Sequence, residues 1–178
     1  MEGHDLENVF TIPKNKEVLD SIAKNLEGLQ RVVVIGGGFI GVELSDELNK
    51  SGKEVTIVEV LPHILNVAFD KEFAEKAENL LAERGVNVRT RVGVQQINGE
   101  DGKVQSVLLE NGEELQADAV ILSMGYEPNV QLAKDSGLRI SGTGFIAVDE
   151  YMRTSDESII AVGDCSEKRH FITRKQNG

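Results

Sequence analysis

Gly36, Gly38 and Gly41 stand at the spacing G-x-G-x-x-G directly after the apolar run 32–35, and Glu59 follows the last of them by 18 positions. These residue types suit recognition rather than bond-making. Gly36 allows a tight turn, Gly38 lets the main chain approach a pyrophosphate, and Gly41 lets a helix pack close to a strand. The free N–H groups and the positive end of the helix dipole then face the phosphates. A carboxylate at Glu59 accepts from a ribose 2′-OH and repels a 2′-phosphate. Residues 60–66 hold no Arg or Lys to offset that repulsion, which favours NADH over NADPH. The same three glycines alone would fit any glycine-rich turn. What points to a dinucleotide is their context: a strand before, a helix over 39–48 after, and a second strand, 54–58, that ends on the acid.

The elements that must position these residues follow from the patterning. Residues 1–30 read as a lead-in: an extended piece at 9–12, Pro13 as a helix opener, then Val18, Leu19, Ile22 and Leu26 on one helical face before Gly28. After the second strand, Asp70 caps a helix to about Arg84 with Phe73, Ala77, Leu80 and Leu81 as its apolar face, stopped by Gly85. Val86 and Val88 open a third strand. Alternating strands and helices predict a parallel sheet. From 92 to 115 the helical signal disappears. Alternation at Val92, Val94 and Ile97, a turn over 98–102, a strand over 104–109 and the hairpin dipeptide Asn111-Gly112 predict a three-stranded antiparallel meander. Residues 119–123 return to a buried strand, followed by a short helix near 130–135 and strand-like pieces at 145–148 and 159–162. The fold class expected is α/β, a Rossmann-like parallel sheet with helices and an inserted three-stranded β-meander. The domains expected are the lead-in, a Rossmann domain over 31–143 and a separate segment over 144–178.

Composition sets the outer bounds. With 178 residues, 40% hydrophobic and 28% charged, the chain is an ordinary globular sequence, and a net charge of −11 disfavours nucleic acid and anionic membrane as partners. An anionic cofactor is still compatible, because salt screens distant surface charges within about 10 Å. The polar N-terminus and the lack of a bilayer-length apolar run place the expected location in the cytoplasm. A single cysteine, Cys165, excludes an internal disulfide or a cysteine-rich zinc site, and no metal site is expected.

The order of G-G-G-F-I-G-V-E at 36–43, the meander, S-M-G-Y-E-P-N at 123–129 and T-S-D-E-S-I-I-A-V-G-D-C at 154–165 resembles the FAD-dependent pyridine nucleotide-disulfide oxidoreductases. The nearest branch is that of NADH oxidase, NADH peroxidase and coenzyme A-disulfide reductase. The resemblance implies an NAD(H)-binding domain set within a larger FAD domain, with hydride passing from NADH to FAD and then to a disulfide, peroxide or oxygen. It implies cofactor-binding roles for Gly36, Gly38, Phe39, Ile40, Gly41, Glu43, Glu59, Gly125, Gly163 and Asp164. Phe39 matches an aromatic residue that shields the flavin, Glu43 an acid near the nicotinamide, Gly125 a close approach to the nicotinamide half, and Asp164 the aspartate that bonds the flavin ribityl chain. Residues 144–178 would then be part of a second flavin segment.

Family members also carry a first glycine motif for FAD, a redox-active cysteine and a dimerisation domain, so the chain is expected to be a fragment that is inactive alone and holds no catalytic residue. Its partners are NADH and the remaining FAD domain, with a homodimer allowed. The acceptor is not legible. A stand-alone NAD-sensing module without catalysis is the alternative, though it leaves 154–165 unexplained.

Simpler explanations compete at several positions. Glu43 is also a plausible helix-surface acid, Phe39 a packing residue, His63 a surface histidine, and Cys165 a small buried apolar group rather than a nucleophile. Glu72, Glu75, Glu78 and Glu83 read as a solvated helix face, and Arg169, His170 and Arg174 as a solvated basic tail. The apolar pieces 145–148 and 159–162 are expected to lose their cover outside the larger protein.

Overall fold

The structure is a computed structural model that describes residues 1–169 and 176–177. The chain divides into two compact units, Met1–Gly125 and Tyr126–Gly178.

The first unit is built on five parallel strands: β1 (Val9–Thr11), β2 (Arg31–Ile35), β3 (Glu54–Val58), β4 (Asn87–Arg89) and β8 (Ala119–Leu122), in the spatial order β1-β8-β2-β3-β4. Val32, Val33, Val34 and Ile35 are all buried, which is why β2 reads as an unbroken apolar run: both faces of a central parallel strand are covered. Alternate residues go to different layers. Val32 and Val34 pack with Val55, Ile57 and Ile121 against Ile22, Leu48 and Leu81 of the helices α1 (Lys16–Asn25), α2 (Phe39–Lys50) and α3 (Lys71–Glu83). Val33 and Ile35 pack with Val120 against Ile97, Val104, Val107 and Leu109. Those last residues belong to the meander β5 (Val94–Glu100), β6 (Lys103–Leu109) and β7 (Glu114–Gln116), antiparallel in the order β5-β6-β7. The unit therefore has helices on one face of the parallel sheet and the meander on the other, and each fully buried valine contributes about 1.5–3 kcal/mol.

Several expectations are corrected in detail. Residues 1–30 are not set apart: β1 pairs in parallel register with β8, Val9 opposite Val120, and Ile22 and Leu26 enter the core. On α1, Val18 and Leu19 lie exposed, and the cap is Asn15, whose side chain accepts from the Val18 amide, rather than Pro13. On α3, Phe73 and Leu80 point outward, and the buried positions are Ala74 and Leu81. The hairpin between β5 and β6 turns at Asp101 and Gly102 alone, both at positive φ, because Asn98 to Glu100 stay paired in the ladder.

The second unit holds the short helix α4 (Gln131–Asp135) and a small core of Val130, Ala133, Ile146, Val148 and Ala161. This unit begins at Tyr126. The two pieces read as strands are not regular strands. Ile146 makes isolated bridges to Ile140 and Ser166, and Arg153 to Ile160. Phe145, Ile146, Ala147 and Val148 are nevertheless buried within this chain, which corrects the expectation that they lose their cover, while Ile160 and Val162 stand 64% and 66% exposed. The last elements, β9 (Lys168–Arg169) and β10 (Gln176–Asn177), pair antiparallel. His170 and Arg174 of the basic tail lie outside the described residues.

No helix among the described residues is long and apolar enough to cross a membrane.

Candidate functional site

The turn from β2 to α2 is held from beneath. Gly36 donates its amide to Val58 O at 2.8 Å, which fixes the turn to the neighbouring strand, and its φ of +109° is a conformation that favours glycine. A Cβ on Gly36 would meet Ser123 O at 2.6 Å, and one on Gly41 would meet Gly36 O at 1.9 Å. Helix, turn and strand end therefore approach one another as closely as backbone allows. Ser123, at the tip of β8, adds hydroxyl bonds to Ile35 O at 3.0 Å and Gly36 O at 2.8 Å.

Gly38 differs from these two. It caps α2 with no side-chain bond, and a Cβ placed on it would meet nothing within 4 Å. The first helical bond runs from Val42 N to Gly38 O, so the N–H groups before Val42 are directed out of the helix end. This is the geometry of an anion cradle: open space over the one position where main chain must come close, and close packing everywhere below it.

Glu59 lies just past β3 with its carboxylate fixed at both oxygens. Oε2 accepts from Gly37 N at 2.7 Å, and Oε1 accepts from Leu61 N at 2.8 Å. Its own amide donates to Arg89 O at 2.8 Å, tying the strand tip to β4. Each oxygen retains a lone pair, so the acid is oriented and still able to accept from a hydroxyl. Gly37, the middle glycine that the spacing rule skips, is thus a working part of the turn. A Cβ there would press on Ile64 Cγ2 at 2.8 Å and on Glu59 Oε2 at 3.2 Å. The only advance sign of it was the third glycine in G-G-G.

The remaining positions fall in different settings. Phe39 and Ile40, at the opening of α2, are 61% and 44% exposed, and Glu43 is exposed on the same helix. Phe39 meets the ring of Phe69 edge-on at 5.8 Å, and Phe69 is 6.4 Å from Phe73, an outward-facing aromatic row with no counterpart in the sequence reading. Gly125, two residues past Ser123, has φ +96° and open space around it. Gly163 and Asp164 belong to the second unit. Gly163 has φ +95°, and the exposed Asp164 carboxylate bonds Lys168 at 3.1 Å. Cys165 is half-buried against the small core, its Sγ 3.6 Å from Val162 O.

Two residues expected at the surface, His63 and Glu78, turn inward. His63 and Glu78 have side chains only 13% and 21% exposed and are bonded, Nδ1 to Oε1 at 3.2 Å. A solvated face describes Glu72 and Glu83 on α3 and fails for Glu78, which turns inward to the segment after Glu59.

Among known proteins, the chain is 42% identical over 176 residues to an NADH oxidase of Enterococcus faecalis (strain ATCC 700802 / V583), covering 98% of this chain and 39% of that one. Its fold matches an NAD-dependent persulfide reductase from A. fulgidus with a TM-score of 0.87 and 43% identity, over 99% of this chain and 33% of the other. A water-forming NADH oxidase from Lactobacillus brevis, solved bound to NADH, matches with a TM-score of 0.85 and 25% identity over 99% of this chain and 38% of the other. The chain thus spans well under half the length of each of these relatives. Residues 1–177 match the family model described as pyridine nucleotide-disulphide oxidoreductase, and the chain belongs to that family.

Proposed function

We propose that this chain is the NAD(H)-binding part of a flavin-dependent oxidoreductase. The observation that carries the proposal is Glu59, fixed by the Gly37 and Leu61 amides beside an open helix end at Gly38. In this reading the N–H groups at the start of α2 hold the pyrophosphate and Glu59 accepts from the adenosine ribose 2′-OH. A 2′-phosphate would face a carboxylate whose lone pairs have no proton to offer, so NADH is the preferred form. Gly125 gives the nicotinamide half room for close approach, with Phe39, Ile40 and Glu43 along the exposed start of α2.

NADH bound here would supply hydride chemistry to a flavin held by the larger protein, whose acceptor would be a disulfide, peroxide or oxygen. In this reading the residues named above position the cofactor, and the cofactors supply the chemistry. For the flavin, the residues that fit are Gly163 and Asp164: the carboxylate is exposed and pairs with the exposed Lys168, and the glycine before it leaves space for a ligand hydroxyl. Residues 144–178 would accordingly be the strip of flavin domain carried by this chain.

The test is titration of the purified chain with NADH, followed by nicotinamide fluorescence, with NADPH as competitor. Binding in the micromolar to millimolar range, with NADPH weaker, is the expected result. No fluorescence change up to millimolar NADH, or a preference for NADPH, would end the proposal.

A further inference from the structure

The segment between Glu59 and α3 is fastened at two sides. Toward the glycine turn, Leu61 N donates to Glu59 Oε1 at 2.8 Å, Leu65 N donates to Gly37 O at 2.7 Å, and Ile64, fully buried, fills the space beside Gly37. Toward α3, one side chain does the fastening: Glu78 Oε1 accepts from Ile64 N at 3.1 Å, and both its oxygens lie within 3.3 Å of His63 Nδ1. Leu65, which carries the bond to Gly37 and follows the one at Ile64, has φ +56°, left-handed backbone that leucine adopts only where its surroundings enforce it. A strained residue anchored by its own amide, next to one anchored by Glu78, indicates a segment whose shape is imposed rather than preferred.

We infer that Glu78 and His63 are positioning residues for the ribose site. They hold 61–65 against the glycine turn, and so keep the Leu61 amide on Glu59 and Ile64 against Gly37. Glu78 bonds Ile64 and His63 and is not among the residues assigned to the cofactor. Its effect is transmitted: without it, Ile64 N and the His63 ring lose their acceptor, Leu65 relaxes, and the Glu59 carboxylate is held from the Gly37 side alone. An acid tethered at one oxygen rotates, and a rotating carboxylate neither meets a ribose hydroxyl well nor repels a phosphate firmly. The clamp thus sharpens the choice between NADH and NADPH more than it strengthens binding in general. This inference rests on the assignment of Glu59 to the ribose, so the two are tested by separate readouts.

The first readout needs no cofactor. Amide exchange in the full chain is compared between wild type and Glu78→Ala. The expected result is exchange at Leu61 and Ile64 faster by about tenfold, with the buried amides of β2 and β3 unchanged. Glu78→Gln keeps an acceptor for Ile64 N and should stay within about threefold of wild type, which separates the clamp from a general loss of packing. His63→Ala, which leaves Glu78 in place, keeps the test open if Glu78→Ala fails to fold; it should speed exchange at Ile64 by about threefold.

The second readout is cofactor choice. Glu78→Ala should raise the NADH dissociation constant by about fivefold while that for NADPH changes less than about twofold, and in a Glu59→Ala background it should shift NADH binding by less than about twofold. Wild-type exchange at Leu61 and Ile64 in both Glu78→Ala and His63→Ala overturns the clamp, as does an equal loss of affinity for both cofactors in both backgrounds. If Glu59→Ala itself binds NADH like wild type, the ribose assignment fails, and the exchange data alone then decide whether the segment is clamped.

Discussion

Glu59 and Gly37 are joined by a 2.7 Å hydrogen bond from the glycine amide to the glutamate Oε2. The bond links the tip of β3 to the turn after its neighbour β2, so the acid and the glycine turn cannot move independently. It also takes up the Gly37 amide, so in the proposed reading a pyrophosphate would rest on the amides at the start of α2.

Replacing Glu59 tests both consequences. Glu59→Ala removes the ribose acceptor and releases the Gly37 and Leu61 amides, and NADH affinity should fall by about 1.5–3 kcal/mol, the range for a hydrogen bond to a charged group. NADPH should bind no worse than before. Fluorescence titration with both cofactors checks this, and an unchanged NADH affinity would contradict it.

Two glycines of the same motif should respond in opposite ways. Gly41→Ala places a Cβ 1.9 Å from Gly36 O, backbone against backbone, and should cost the fold more than about 3 kcal/mol in chemical denaturation. Gly38→Ala meets nothing within 4 Å and should leave the melting temperature near wild type while weakening NADH, since its methyl occupies the space over the helix end. Equal melting temperatures for the two variants would show the turn to be looser than described.

Asp118 gives a pH prediction. It accepts from the Arg31 side chain at 2.5 Å and from the Arg31 and Gln30 amides at 2.8 and 3.1 Å, and the Arg31 side-chain bond chiefly holds its pKa down at about 2. A carboxylate depressed in the folded state contributes stability above its unfolded pKa, near 4, and loses it as pH falls toward 2. With Arg31 41% exposed, screening reduces the contribution to about 1–2 kcal/mol. Urea unfolding of Asp118→Asn should show that deficit at pH 7 and little of it at pH 2.5; a deficit independent of pH would refute the linkage.

In the second unit, Ile160→Lys and Val162→Lys should each change stability by less than about 0.5 kcal/mol, because both side chains already face outward. Ile146→Lys, in the small core, should unfold the unit. Thermal melts, with sedimentation to read self-association through the exposed strip, decide the matter.

The parallel strands, the meander and the glycine turn were legible because each rests on local chemistry: apolar runs for strands buried on two faces, a period of two for a half-buried meander, glycine where backbone meets backbone. Edges were less legible. The faces of α1 and α3 were placed a step off, since Val18, Leu19, Phe73 and Leu80 fit an apolar stripe yet point outward. A helical stripe states which residues could be buried, and the neighbouring layer decides which are. The pieces 145–148 and 159–162 looked alike in sequence, but only the first is covered within this chain.

By itself, then, the sequence determined that a strand-turn-helix glycine motif and a strand-terminal acid exist, because spacing within one such unit is a local property of the chain. Tertiary structure decided how that acid is aimed. The bonds of Glu59 to Gly37, of Glu78 to Ile64 and His63, and of Ser123 to Gly36 join residues 14 to 87 positions apart. Side chains so distant are brought within hydrogen-bonding reach only by the packing of the sheet and its helices, so no local pattern could have announced them.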